Sequence, residues 1–129
     1  MERYLLDTHI FLWWISDANR LSQEVLEVIS DASNPIYVSS ATIWEIAIKK
    51  ALGKISVDAD LSLVIESNGF LELPISARCA AATKKLEQIH RDPFDRILIA
   101  QAMKGNMTLV TVDRHIVRYS DVKLLSFKR

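Results

Sequence analysis

Apolar residues in this chain fall into two kinds of run: short unbroken stretches that stop at a polar residue, and longer stretches with helical spacing. Arg3–Asp7 (RYLLD), Pro35–Ser39 (PIYVS) and Thr108–Val112 (TLVTV) are of the first kind, and the first and last lead directly to a carboxylate, Asp7 or Asp113. Runs so short and continuous predict strands buried on both faces. Phe70–Ile75 predicts another strand, limited by Pro74, which has no N–H for a ladder. Val122–Ser126 predicts a last short one.

Helices are predicted between them. Thr8–Ser16 is short and apolar. Ser22–Asp31 has Leu21 and Ser22 as staple and cap. Ser40–Leu52 carries Trp44, Ile48, Ala51 and Leu52 at i, i+4, i+7 and i+8, an apolar face on an amphipathic helix. Leu61–Ser67 and the Ala-rich Ala77–Ile89, capped by Ser76, follow. Arg91–Ala102 (RDPFDRILIAQA) opens the most apolar helix: Asp92 serves as N-cap, Pro93 as the first helical residue, and Asp95 lies in the first turn. Lys104 and Gly105 supply its stop. Strands alternating with helices predict an α/β fold, a central and mostly parallel sheet of four to five strands with helices on both faces. In such sheets ligands bind beyond the carboxyl ends of the strands.

That geometry draws attention to the acids. Asp7 and Asp113 end predicted strands. Asp95 opens the helix feeding the Asp113 strand, which in a strict two-layer arrangement puts it at the opposite edge unless the helix tips its N-terminus over the sheet. Each acid also has an ordinary structural reading. Thr42-x-x-Glu45 fits a capping box, and Glu45–Lys49 an i, i+4 pair. Asp7 could start a turn, Asp113 could pair with Arg114 or Arg118, and Asp95 could complete a reciprocal cap with Asp92. The set carries more than its members: two like charges about 4 Å apart repel by roughly 4 kcal/mol at an effective dielectric near 20. A convergent cluster therefore requires a cation or protonation. Oxygen-only donors suit Mg²⁺ or Mn²⁺.

Composition narrows the alternatives. The 129 residues predict one domain spanning 1–129, and 16 Lys+Arg balance 16 Asp+Glu, so bulk charge favours no polyanionic partner. Apolar residues reach 50%, with mean hydropathy +0.12, which points to a large apolar interface. The one cysteine, Cys79, rules out an internal disulfide and fits a reducing cytoplasm. No apolar run approaches the roughly 20 residues of a membrane span, and no signal peptide is expected. His9, His90 and His115 lack paired spacing, which argues against zinc. Three glycines leave no phosphate-binding loop. A phosphoacceptor domain would want a further acid beside Asp7, where His9 stands two residues on.

LLDTHIFLWW (Leu5–Trp14), SSATIWEIAIKKALGK (Ser39–Lys54), RDPFDRILIAQA and LVTVD (Leu109–Asp113) together resemble the PIN-domain family, most closely the VapC-type toxins of toxin–antitoxin pairs. The resemblance implies a single PIN-like domain and a ribonuclease that hydrolyses RNA phosphodiesters with Mg²⁺ or Mn²⁺. It implies metal-binding acids at Asp7, Glu45, Asp95 and Asp113. Thr8, Thr111 and a serine at 39 or 40 become orienting neighbours, and Asp92 a cap with an outer role. Arg91, Arg96 and Arg114 become phosphate-positioning cations, with Lys49, Lys50 and Lys54 further out. A homodimer and an antitoxin partner are implied too. The alternative is a non-catalytic PIN-like module that binds RNA or protein; such a module would lack one or more of the acids, and none is missing.

Overall fold

A computed structural model describes residues 2–128. Five strands, β1 (Tyr4–Leu6), β2 (Ile36–Ser39), β3 (Leu71–Leu73), β4 (Thr108–Thr111) and β5 (Lys123–Ser126), form one sheet in the order β3-β2-β1-β4-β5. Every pairing is parallel. Six α-helices connect and cover the strands: α1 (Thr8–Ser16), α2 (Gln23–Ser30), α3 (Ser40–Ala51), α4 (Leu61–Ser67), α5 (Ala77–Ala82) and α6 (Pro93–Gly105).

The three inner strands, β1, β2 and β4, are the most fully enclosed. Leu5 and Leu6 are both 0% exposed, as are Leu109 and Val110. Successive strand residues point to opposite faces. Leu6 and Val110 accordingly join Ile10, Phe11, Val25 and Ile29 in one apolar cluster, while Leu5 and Leu109 join Leu98, Ile99 and Ala102 in the other. The helix α6 forms much of the second layer, and its end is set by Asn106 in the left-handed region (φ 52°) rather than by Gly105, which is still helical.

Two expectations fail for identifiable reasons. The helix predicted over Ala77–Ile89 stops at Ala82 and passes through a single 3₁₀ turn, Thr83–Lys85, into a loop. The Arg96 guanidinium donates to the carbonyls of Thr83 (2.6 Å), Glu87 and His90 (both 3.1 Å), holding the chain in a path that a continued helix would not follow. Tertiary hydrogen bonds from a charged donor outweigh the helix propensity of the alanines. In α3 the apolar stripe is turned outward: Trp44 is 59% and Leu52 64% exposed, and Ile48 is exposed with them. The buried residues are Ala41, Thr42, Glu45 and Ile46. Trp44 packs edge-on against Phe94 and leaves its outer surface open.

Candidate metal centre

Asp7 follows β1 directly. Its N–H donates to Val110 O (3.0 Å), which ties it to β4, and its Oδ1 accepts from Ile10 N (2.9 Å), which makes it the N-cap of α1. Its Oδ2 accepts from Thr111 Oγ1, which in turn accepts from Asp113 N (3.0 Å). One hydroxyl at the end of β4 thus fixes two of the acids. Asp113 Oδ1 accepts from His115 N (2.7 Å) and Ile116 N (3.0 Å), so an Asx-type turn, not an arginine, holds that oxygen.

Glu45 is 4% exposed on the inner face of α3. Its Oε1 accepts from Thr8 Oγ1 (2.7 Å) and its Oε2 pairs with Lys49 Nζ (2.8 Å). The expected i, i+4 pair is present, whereas the capping box is not: Ser39 caps α3 through Ala41 N, and the Thr42 hydroxyl turns inward to meet that of Thr8 (3.2 Å). Asp92 is the N-cap of α6 through Phe94 N (2.9 Å), with Pro93 at the first helical position.

Asp95 reaches the same hollow from the first turn of α6. Its Oδ2 lies 2.9 Å from His90 Nε2, and that nitrogen lies 3.3 Å from Asp113 Oδ2. These three atoms all fall within 4.8 Å of one another. The helix does tip its N-terminus over the sheet, and the doubt left by the two-layer arrangement is removed. His90 is the member that spacing did not reveal. Its position two residues before the Asp92 cap was readable, but its contact with Asp113 crosses 23 positions and exists only in the folded chain.

Electrostatics follow from this crowding. Burial, aided by the charges of Asp92, Asp7, Asp113 and Glu45, pushes Asp95 up to about 8. Burial also raises Asp7, to about 6, against the hydrogen bonds from Thr111 and Ile10 that favour its charged form. At Asp113 burial opposes ionisation, but the N–H groups of Ile116 and His115, together with His90, outweigh it and hold the carboxyl below its usual value. Asp95 and Asp113 are thus the acids that the structure brings within reach of one ion, beside His90; Asp7 is linked to Asp113 through Thr111, and both Glu45 oxygens are engaged, by Thr8 and Lys49.

The cations divide. Arg96 is taken up by the loop carbonyls and is also 3.4 Å from the Tyr119 hydroxyl, so it clamps the His90 loop and does not face the acids. Arg96→Ala should lower stability by on the order of 2 kcal/mol, measured by urea unfolding, because three loop carbonyls, two of them part-buried, lose a charged donor. Arg114 instead lines a cavity of about 990 Å³ beside Asp113, with His9, Trp13, Phe127 and Lys128.

The acids gather beyond β1 and β4, where the strand order of this parallel α/β sheet reverses, the edge at which such sheets place their ligands. The chain belongs to the PIN-domain family, which it matches over residues 4–122. It is 28% identical over 123 residues to Ribonuclease VapC22 of Mycobacterium tuberculosis, covering 90% of this chain and 91% of that protein. Its fold is similar to that of VapBC2 from Rickettsia felis bound to a promoter DNA fragment (TM-score 0.71, 21% identity, 97% of this chain and 98% of that one). DNA-bound VapBC from Salmonella typhimurium is comparable (TM-score 0.72, 18% identity, 98% of each chain). Among the described residues no helix is long and apolar enough to cross a membrane.

Proposed function

We propose that the protein is a metal-dependent endoribonuclease and the toxin of a VapBC-type toxin–antitoxin pair. The observation that carries the reading is the meeting of Asp95 and Asp113 across one nitrogen, with Asp7 tied to Asp113 through Thr111. The relative named as a ribonuclease, and the fold shared with VapBC proteins, support the same direction. A non-catalytic module is disfavoured because it has no use for four carboxylates held at this cost.

In this reading Asp7, Asp95 and Asp113 hold Mg²⁺ or Mn²⁺, with Glu45 as a further ligand or outer acceptor. The ion, when bound, supplies neutralisation of charge on the phosphate and acidification of the attacking water. The residues of the chain do the rest. Thr111 and the turn N–H groups fix the carboxylates before substrate arrives, which avoids reorganisation during the reaction. Arg114 and Lys128, beside the 990 Å³ cavity, attract the RNA backbone, and the aromatic walls of that cavity offer space for a base next to the cut. The outward stripe Trp44–Ile48–Leu52 is the surface for a second copy in a homodimer, and an antitoxin covering the acids would silence the enzyme.

The test is cleavage of single-stranded RNA with Mg²⁺ or Mn²⁺. Activity that appears with either ion and disappears in excess EDTA is expected. Cleavage that persists in EDTA contradicts the reading.

A further inference from the structure

We propose that His90 is an internal plug: its Nε2–H bridges Asp95 and Asp113 in place of a cation, and a metal ion must displace the imidazole to enter. The inference rests on the metal-dependent reading above and adds a residue that controls access to the ion.

The tautomer is fixed by the neighbouring backbone. Asp92 N–H donates to His90 Nδ1 (3.3 Å), which uses that nitrogen's lone pair. In the neutral ring the proton then sits on Nε2, the nitrogen aimed at the two carboxylates. A protonated Nε2 is a donor and not a ligand. To ligate a metal, the ring would have to move its proton to Nδ1, where it would confront the Asp92 N–H donor head-on.

Competition follows from the oxygens involved. Asp113 Oδ1 already carries two backbone N–H groups, so Oδ2 is the oxygen turned to the site, and it is Oδ2 that His90 contacts. Asp95 likewise meets His90 through Oδ2. A hard divalent ion would take carboxylate oxygens as its ligands, and both of these oxygens are engaged by His90 Nε2.

The plug is also well seated. His90 N–H donates to the Tyr119 hydroxyl (3.0 Å), its carbonyl accepts from Arg96 (3.1 Å), and its ring lies 5.0 Å from that of His115. Only 13% of the side chain is exposed. The backbone is therefore pinned, and displacement falls to rotation of the side chain alone.

Isothermal calorimetry with Mn²⁺ alone, at fixed pH, tests this on wild type and His90→Ala. Removing a competitor should tighten Mn²⁺ binding by roughly tenfold, the scale on which residues behind metal ligands act. Unchanged affinity, or weaker binding as expected for a lost ligand or support, overturns the plug. Should His90→Ala fail to fold, long-range ¹H–¹⁵N spectra of wild-type histidines decide. The Nε2–H tautomer without metal, and release of the ring from its carboxylate partners on adding Mg²⁺, are expected; ring signals that do not respond to Mg²⁺ overturn it. Wild type that cleaves RNA and binds Mn²⁺ as tightly as His90→Ala sinks the plug and leaves the nuclease standing. Wild type that binds no Mn²⁺ sinks both.

Discussion

Asp7→Asn should abolish metal-dependent RNA cleavage, by roughly a thousandfold or more, while the protein remains folded. The two halves of this expectation come from different oxygens and different chemistry. Asn is as good an N-cap as Asp, so Ile10 N keeps its acceptor and α1 keeps its start. The neutral amide can face Thr111 Oγ1 with its NH₂, at the cost of turning that hydroxyl from donor to acceptor. What is lost is the negative charge at the centre of the cluster, and with it an oxygen ligand that a hard cation requires. Burial already disfavours charge on Asp7, so its removal should also leave the metal-free protein at least as stable as wild type. RNA cleavage rates and thermal unfolding of the same preparation check both halves. Near-wild-type cleavage would remove Asp7 from the site, and an unfolded variant would make its role structural, through the hydrogen bond it accepts from Thr111.

Asp95→Asn should stabilise the metal-free protein in a strongly pH-dependent way. The Asp95 carboxyl is held up at about 8, far above its value of 3.8 in an unfolded chain. Between those values the folded protein binds a proton that the unfolded chain has released, so stability falls as pH rises from about 4 to 8. Asn mimics the protonated acid and still accepts from His90 Nε2. Wild type and variant should therefore be equal near pH 4 and separate by on the order of 3 kcal/mol by pH 8, with the variant more stable. The figure is set below the full linkage value because the side chain retains 16% exposure and the site can relax. Urea unfolding at several pH values measures the gap, and Mg²⁺ should narrow it by stabilising wild type only. A constant gap across pH would show that Asp95 ionises like an ordinary surface acid.

These effects were partly legible in the sequence, and the reason differs by residue. Asp7 could be read because a buried strand ending in a carboxylate fixes both the depth of the residue and the edge it faces. Asp92, Pro93 and Asp95 could be read because capping chemistry is local. The meeting of Asp95 with Asp113 could not, since it depends on how α6 seats on the sheet, where Leu98, Ile99 and Ala102 share one apolar cluster with Leu5 and Leu109. Glu45 was visible as an acid on a helix, and its i, i+4 pair with Lys49 was readable, but the capping box is absent and the hydroxyl that donates to its other oxygen belongs to Thr8, 37 positions away. The α3 stripe shows the limit of periodicity. Spacing finds an apolar face, but the face that packs inward is the one bearing Thr42 and Glu45, because polar groups held by Thr8 can be buried at no unpaired cost. The shortened α5 has the same lesson, since its end is dictated by an arginine ten or more positions downstream.

The charge held in the cluster can be counted directly. Calorimetric Mn²⁺ titrations at pH 7, run in two buffers of different ionisation enthalpy, report the protons released on binding. With Asp95 raised to about 8, the metal must expel its proton, and wild type should release close to one proton per ion bound while Asp95→Asn releases markedly fewer. Binding without proton release, or no binding at all, would contradict an acidic hollow that only a divalent ion makes tolerable.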